Sequence, residues 1–196
     1  MIIDDFDIWR IAIGDSLSHC TRGWEAQGFK VNHFEAITPI NSPDFLPFGR
    51  KNRKSHPIYR PNPVVDFTKT EKAIWYSHFM LWEKCLAEDK ALVIIEHDTT
   101  AVDFFPTLWE VKKLKYFCRA DKPDRYSPTG KFKFTPAAGY ILTPHGARLL
   151  VENTLSKKSI TSNVDFMLTQ FRDKEPRKWC VQYAVQSSAP STIEHL

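Results

Sequence analysis

Ala91-Leu92-Val93-Ile94-Ile95-Glu96-His97-Asp98 is a short apolar run, rich in β-branched residues, that ends abruptly in two carboxylates. Branched side chains suit a pleated surface, so the run reads as a buried strand delivering acids to the edge of a sheet. Along an extended backbone side chains alternate, which predicts Glu96 and Asp98 on one side and His97 on the other. Two hard oxygen donors brought together suit Mg²⁺ or Mn²⁺, ions that usually carry phosphates with them. A solvated turn closing a strand has the same composition. The neighbouring elements decide between the two.

Upstream of the run, Thr68 or Thr70 can cap a helix that continues to about Glu88, with Ile74, His78, Leu81, Trp82 and Cys85 at the three-and-four spacing of a buried stripe. Before it, Ile8 to Ile13 reads as a strand, Ser16 to Gln27 as a helix and Lys30 to Ile37 as a second strand, a βαβ opening. Downstream, Pro106 to Lys113 reads as a short helix and Ala137 to Leu142 as a further strand. Pro144 stands where its fixed φ and missing N–H do no harm, at the start of a helix through Glu152. Asn163 can cap another helix, with Val164, Met167, Leu168 and Phe171 facing inward, and Trp179 to Val185 reads as a last strand. Strands alternating with helices predict an α/β fold with a mostly parallel sheet flanked by helices. Such sheets bind ligands at the carboxyl ends of their strands, where Glu96 and Asp98 would lie.

With 196 residues, 42% hydrophobic and 13% aromatic, the chain can bury one good core, so residues 1–196 are expected to form a single domain. No stretch approaches the ~18 consecutive apolar residues of a membrane helix. Met1-Ile2-Ile3-Asp4-Asp5 is acidic where a secretory signal would be basic, so a soluble, cytoplasmic protein is expected. Cys20, Cys85, Cys118 and Cys180 are scattered without a CxxC pair, which favours buried thiols over zinc ligands or a disulfide framework. The net charge of +4 is mild but unevenly placed. One basic excursion loop, about residues 38–67, holds Arg50, Lys51, Arg53, Lys54 and Arg60; a second, about residues 112–135, interleaves lysines and arginines with Tyr116, Phe117, Tyr126 and Phe132. Loops of this kind suit a nucleic acid or the phosphates of a nucleotide or glycolipid, and equally a solvated surface.

Gly14-Asp15-Ser16-Leu17-Ser18 resembles the nucleophile block of the GDSL esterases and lipases, following a strand near the N-terminus as it does there. A serine hydroxyl is a poor nucleophile without a histidine base oriented by an acid. Here the C-terminal histidine is His195, and Thr192 stands three residues before it, so the relay that would activate Ser16 is missing. The alternative reading is that Asp15 or Ser16 caps the first helix.

Four blocks, in order, resemble glycosyltransferase family 25, the lipopolysaccharide-biosynthesis type, and the short chain is similar to compact viral members of it. They are Thr70-Glu71-Lys72-Ala73-Ile74-Trp75-Tyr76-Ser77-His78 with Trp82 beyond; Glu96-His97-Asp98; Ala138 to Leu150 with Tyr140 in a strand and Gly146-Ala147 in a helix; and Val164-Asp165 with Val185-Gln186 and Pro190 to Ile193. The resemblance implies a GT-A-like, Rossmann-type sheet, a nucleotide-sugar donor, a divalent metal and inverting transfer of a hexose-type sugar. It places Asp98 and Glu96 at the metal, with Asp98 also catalytic. Asp165 would be the base that takes the acceptor's proton. Donor contacts are expected from Glu96, His97, Glu71, Ser77, His78 and Arg22. Structural readings stand beside these: Asp165 in the first turn of a helix suits the macrodipole, His78 suits a hydrogen-bonded core, and Glu71 suits a cap.

The chain departs from the family pattern at Ile13-Gly14-Asp15, where many relatives have Asn-Leu, and at His97, which stands for an acid. Two acceptors fit the resemblance. One is a hydroxyl on a lipo-oligosaccharide or other glycan; the other is a hydroxymethylated pyrimidine in DNA, flipped from the duplex between the basic loops, in which case the cytoplasm is that of a virus-infected host cell. An inactive binding relative is the remaining alternative, against which Glu96, Asp98 and Asp165 argue.

Overall fold

The computed structural model describes residues 6–14, 21–26, 28–52, 64–101, 117–119, 137, 139–171 and 184–186. The βαβ opening is present as β1 (Phe6–Ala12), a four-residue α1 (Arg22–Glu25) and β2 (Val31–Glu35). Two short strands, β3 (Lys51–Asn52) and β4 (Val64–Val65), pair within the basic excursion. The long helix α2 (Lys69–Glu88) then leads into β5 (Ala91–Glu96), which is followed by β6 (Thr99–Ala101), β7 (Phe117–Arg119) and β8 (Gly139–Leu142). Helices α3 (Pro144–Ser156) and α4 (Val164–Phe171) and the short strand β9 (Ala184–Gln186) complete the order. The expected helix at 106–113, residues 16–20 and 27 of the expected helix at 16–27, and the second basic loop apart from β7 lie outside the described residues.

The main sheet has the order β2-β1-β5-β8-β7. β1 is parallel to both β2 and β5, β8 runs antiparallel to β5, and β7 runs antiparallel to β8. Four of the five strands therefore point the same way and β8 is reversed: an α/β fold with a mixed, mostly parallel sheet, consistent with a GT-A-like fold. The final strand does not join it. β9 pairs antiparallel with β6 in a separate two-stranded sheet.

Both faces of the main sheet are covered, and the alternation along β5 shows it. Leu92 and Ile94 belong to one core cluster with Trp75, Phe79 and Trp82 of α2, Leu150 of α3 and Met167 of α4. Val93 and Ile95 belong to the other, with Trp24 of α1 and Phe29. All four are fully buried, which is why this strand reads as an unbroken apolar run rather than an alternating one. Helix α2 starts with a reciprocal capping box: the Thr68 hydroxyl accepts from the Glu71 N–H while the Glu71 carboxylate accepts from the Thr68 N–H. It ends at Asp89, whose φ of 47° is the left-handed conformation of a helix terminator. Its buried surface is wider than the predicted stripe, because the excursion folds back on it: Phe45 and Phe48 pack their rings on Tyr76, and the Tyr76 hydroxyl accepts from the Leu46 N–H. In α3, Pro144 follows the cap Thr143, as the sequence predicts.

Candidate active site

Strand order reverses at β1, since the chain steps from β1 to β2 on one side and later returns to β5 on the other. At such a point the connections leave in opposite directions and open a crevice at the carboxyl ends of the strands. A cleft lies there, about 450 Å³ when its open mouth is counted. Its floor is made by the residues that finish the parallel strands: Ile13 after β1, Ile37 and Thr38 after β2, and Glu96 and His97 at the end of β5. Its wall is the first half of α2, from Thr70 to His78. The apolar part, with Ile13, Ile37, Pro39 and Ile74, is continuous with a polar end formed by Glu96, His97 and His78.

The polar end is held from behind by a buried network. Glu96 continues the Leu92 and Ile94 alternation, so its side chain emerges on the α2 face, and His78 Nε2 stands 3.6 Å from its Oε1. The other ring nitrogen of His78, Nδ1, is 2.9 Å from the Tyr140 hydroxyl, and Trp82 Nε1 donates to that hydroxyl at 2.8 Å. His78 and Tyr140 are both fully buried and their rings stack. Burial pushes the Tyr140 phenol well above its usual range, the Trp82 N–H opposes this, and the charges of Glu96 and Asp165 raise it further.

The expected pairing of Glu96 with Asp98 by strand alternation is corrected. β5 stops at Glu96, opposite Ile11, which is its last pair with β1; β1 itself runs one residue further, pairing Ala12 with Glu35 of β2. His97 and Asp98 then form a turn that takes the chain to the side of α1, where the Trp24 indole N–H donates to the Thr99 carbonyl. Glu96 keeps about a quarter of its side-chain surface exposed, at 24%, whereas Asp98 is buried and outside the cleft lining. His97 is buried but lines the cleft.

The remaining predicted site residues divide. Ser77 lines the cleft, yet its hydroxyl already accepts from the Ile37 N–H and donates to the Ala73 carbonyl, so it clips the end of β2 to α2. Glu71 lies outside the cleft lining. Its carboxylate is taken by the Thr68 cap and by Lys51 of β3, and although burial opposes ionisation, those partners hold its pKa below the ordinary range. Arg22 is exposed on α1, beside β6 rather than at the cleft. Asp165 is half-buried on α4 and outside the lining, accepting from the Ala137 N–H and the Asn163 amide. Ser16 lies outside the described residues. Tyr140 was legible only as a motif letter. The signal for its role is physical: a phenol inside the four-residue apolar strand Gly-Tyr-Ile-Leu must find a partner for its O–H.

Among the described residues no group of three or more His, Cys, Asp and Glu side chains is disposed to hold a metal. One or two carboxylates suffice, however, for a Mg²⁺ or Mn²⁺ that arrives with phosphates and keeps its waters. Glu96 at the cleft fits an ion of that kind and not a closed protein cage, whereas Asp98, buried and outside the lining, is not placed at the cleft.

The sequence model of glycosyltransferase family 25 (LPS biosynthesis protein) matches residues 15–121, more than half of the chain. The match takes in α1, β2, α2 and β5, and with them His78, Glu96, His97 and Asp98; β8, α3 and Asp165 lie beyond it. No curated protein matches the chain.

Proposed function

Because the chain belongs to glycosyltransferase family 25 and is a sugar-transferring enzyme, we propose that the cleft at the ends of β1, β2 and β5 is its nucleotide-sugar donor site. The observation that carries this is the placement of Glu96, His97 and His78 together in a mostly apolar cleft, where strand order reverses. The apolar part suits a nucleoside, and the polar end suits a diphosphate. A Mn²⁺ or Mg²⁺ bound with the donor would neutralise the charge that develops on the leaving diphosphate, with Glu96, the carboxylate partly exposed at the cleft, as the residue to hold it. His97 would contact the donor beside it. Ser77 positions the floor residue Ile37, and Glu71 and Lys51 fix the start of the helix that walls the site.

Transfer proceeds with inversion in this reading: Asp165 takes the proton of the attacking hydroxyl from the face opposite the leaving group. Its support is the place of Val164-Asp165 in the fourth block of the resemblance, with the carboxylate half-buried in the first turn of α4. The acceptor proposed is a glycan hydroxyl. Arg50 and Lys51, the described basic residues of the first excursion, are engaged within the fold: Arg50 with the Val64 carbonyl and Asp66, and Lys51 with Glu71. They are therefore less available to a DNA backbone.

The test is transfer from a panel of nucleotide diphosphate hexoses to oligosaccharide acceptors, with Mn²⁺ present. Glu96→Gln should reduce turnover by about 10²–10³, the usual effect of removing one electrostatic partner of the transition state. Undiminished transfer by that variant would remove Glu96 from the site.

A further inference from the structure

The hydrogen-bond chain behind Glu96 has a direction that its chemistry fixes. An indole N–H can only donate, so Trp82 commits the Tyr140 oxygen as an acceptor at 2.8 Å. His78 meets two groups of opposite demand, a phenol with a proton to give at Nδ1 and a carboxylate oxygen facing Nε2. A neutral imidazole carrying its proton on Nδ1 would aim a lone pair at the carboxylate and waste the phenol's donor. With the proton on Nε2, both contacts are favourable. We propose that Tyr140 is a positioning residue for Glu96: by donating to His78 Nδ1 it commits His78 to the tautomer whose Nε2–H faces the Glu96 carboxylate on the cleft floor.

Burial makes the device exacting. Tyr140, Trp82 and His78 are each 1% exposed or less, so no bulk water is at hand to replace a missing partner. Strand β8 holds Tyr140 from below, since Tyr140 pairs with Ile94 of β5, two residues before Glu96. The same strand that presents the carboxylate thus sits beside the residue that orients its histidine. The consequence for turnover rests on the donor-site reading given above; the tautomer itself does not.

The experiment is ¹⁵N–¹H correlation spectroscopy of protein labelled at histidine ring nitrogens, with His78→Gln used to assign the His78 signals. The parent should show His78 as the neutral Nε2–H tautomer. Trp82→Phe, which keeps the phenol on Nδ1, should retain it, whereas Tyr140→Phe should give a mixture of tautomers. In transfer assays Tyr140→Phe should lower kcat about tenfold with donor KM changed less than about threefold, as expected when a group acts on charge developing in the transition state. A parent His78 protonated at Nδ1, or a Tyr140→Phe protein with unchanged tautomer and kcat, would overturn the proposal. Absence of transfer from any nucleotide sugar by a parent with the expected tautomer would count against the donor-site reading and leave the positioning of Glu96 supported.

Discussion

At the residue scale, the difference between Glu96 and Asp98 matters most, and the sequence could not draw it. Both are acids at the end of one strand, but the ladder with β1 ends opposite Glu96, and the next two residues turn away. We predict that Glu96→Gln loses transfer while folding normally, because its side chain is partly exposed at the cleft. Asp98→Ala should lose both transfer and stability, because Asp98 is buried. Thermal melting of the two variants beside the parent separates the cases; equal melting temperatures for both would contradict the assignment. Cys85 provides a second residue-scale prediction. It is buried and desolvation pushes its thiol up to about 12, so it is a poor nucleophile. Peptide mapping after treatment of native protein with a thiol reagent should find Cys85 unmodified, and modified only after unfolding. His78 was legible as a histidine on an apolar stripe, but its two partners come from β5 and β8, and no local pattern announces contacts so distant in the chain.

At the element scale, helices were more legible than strand partners because their signals are local. The Thr68 cap, Glu71 three residues on and Pro144 after Thr143 are each contained in a few residues, and each stands where expected. The reversal of β8 and the pairing of β9 with β6 depend on long connections, about which local alternation says nothing. Thr68→Ala removes one half of the capping box and should cost about 1 kcal/mol, measured by urea unfolding. The other half gives a pH dependence. Because Glu71's folded pKa lies below the ordinary value of 4.5, its stabilising contribution is full above that value and is lost as pH falls through the lowered one. Glu71→Gln should therefore be less stable than the parent at pH 6, with the gap closing on acidification below about pH 4.5. A gap that stays constant down to pH 3 would show that Lys51 and Thr68 do not hold the ionised carboxylate.

At the scale of the whole molecule, the apolar run at 91–95 and its alternation with helices made the α/β class readable, and the ends of the strands made the position of the cleft readable. The composition of the cleft was not, because its floor comes from three strands and its wall from one helix, brought together only by the sheet order. The acceptor is less legible still, since neither basic loop carries a pattern that separates a glycan from DNA. Among the described residues no helix is long and apolar enough to cross a membrane. The central claim is that the cleft binds the donor through its Glu96 end. Isothermal titration calorimetry of the parent and Glu96→Gln proteins with a panel of nucleotide diphosphate sugars, with and without Mn²⁺, tests it most directly. The account predicts that the parent binds one nucleotide more tightly with Mn²⁺, and that the variant weakens this binding about tenfold or more, or about 1.4 kcal/mol. Equal binding by parent and variant, or no binding of any nucleotide by the parent, would contradict it.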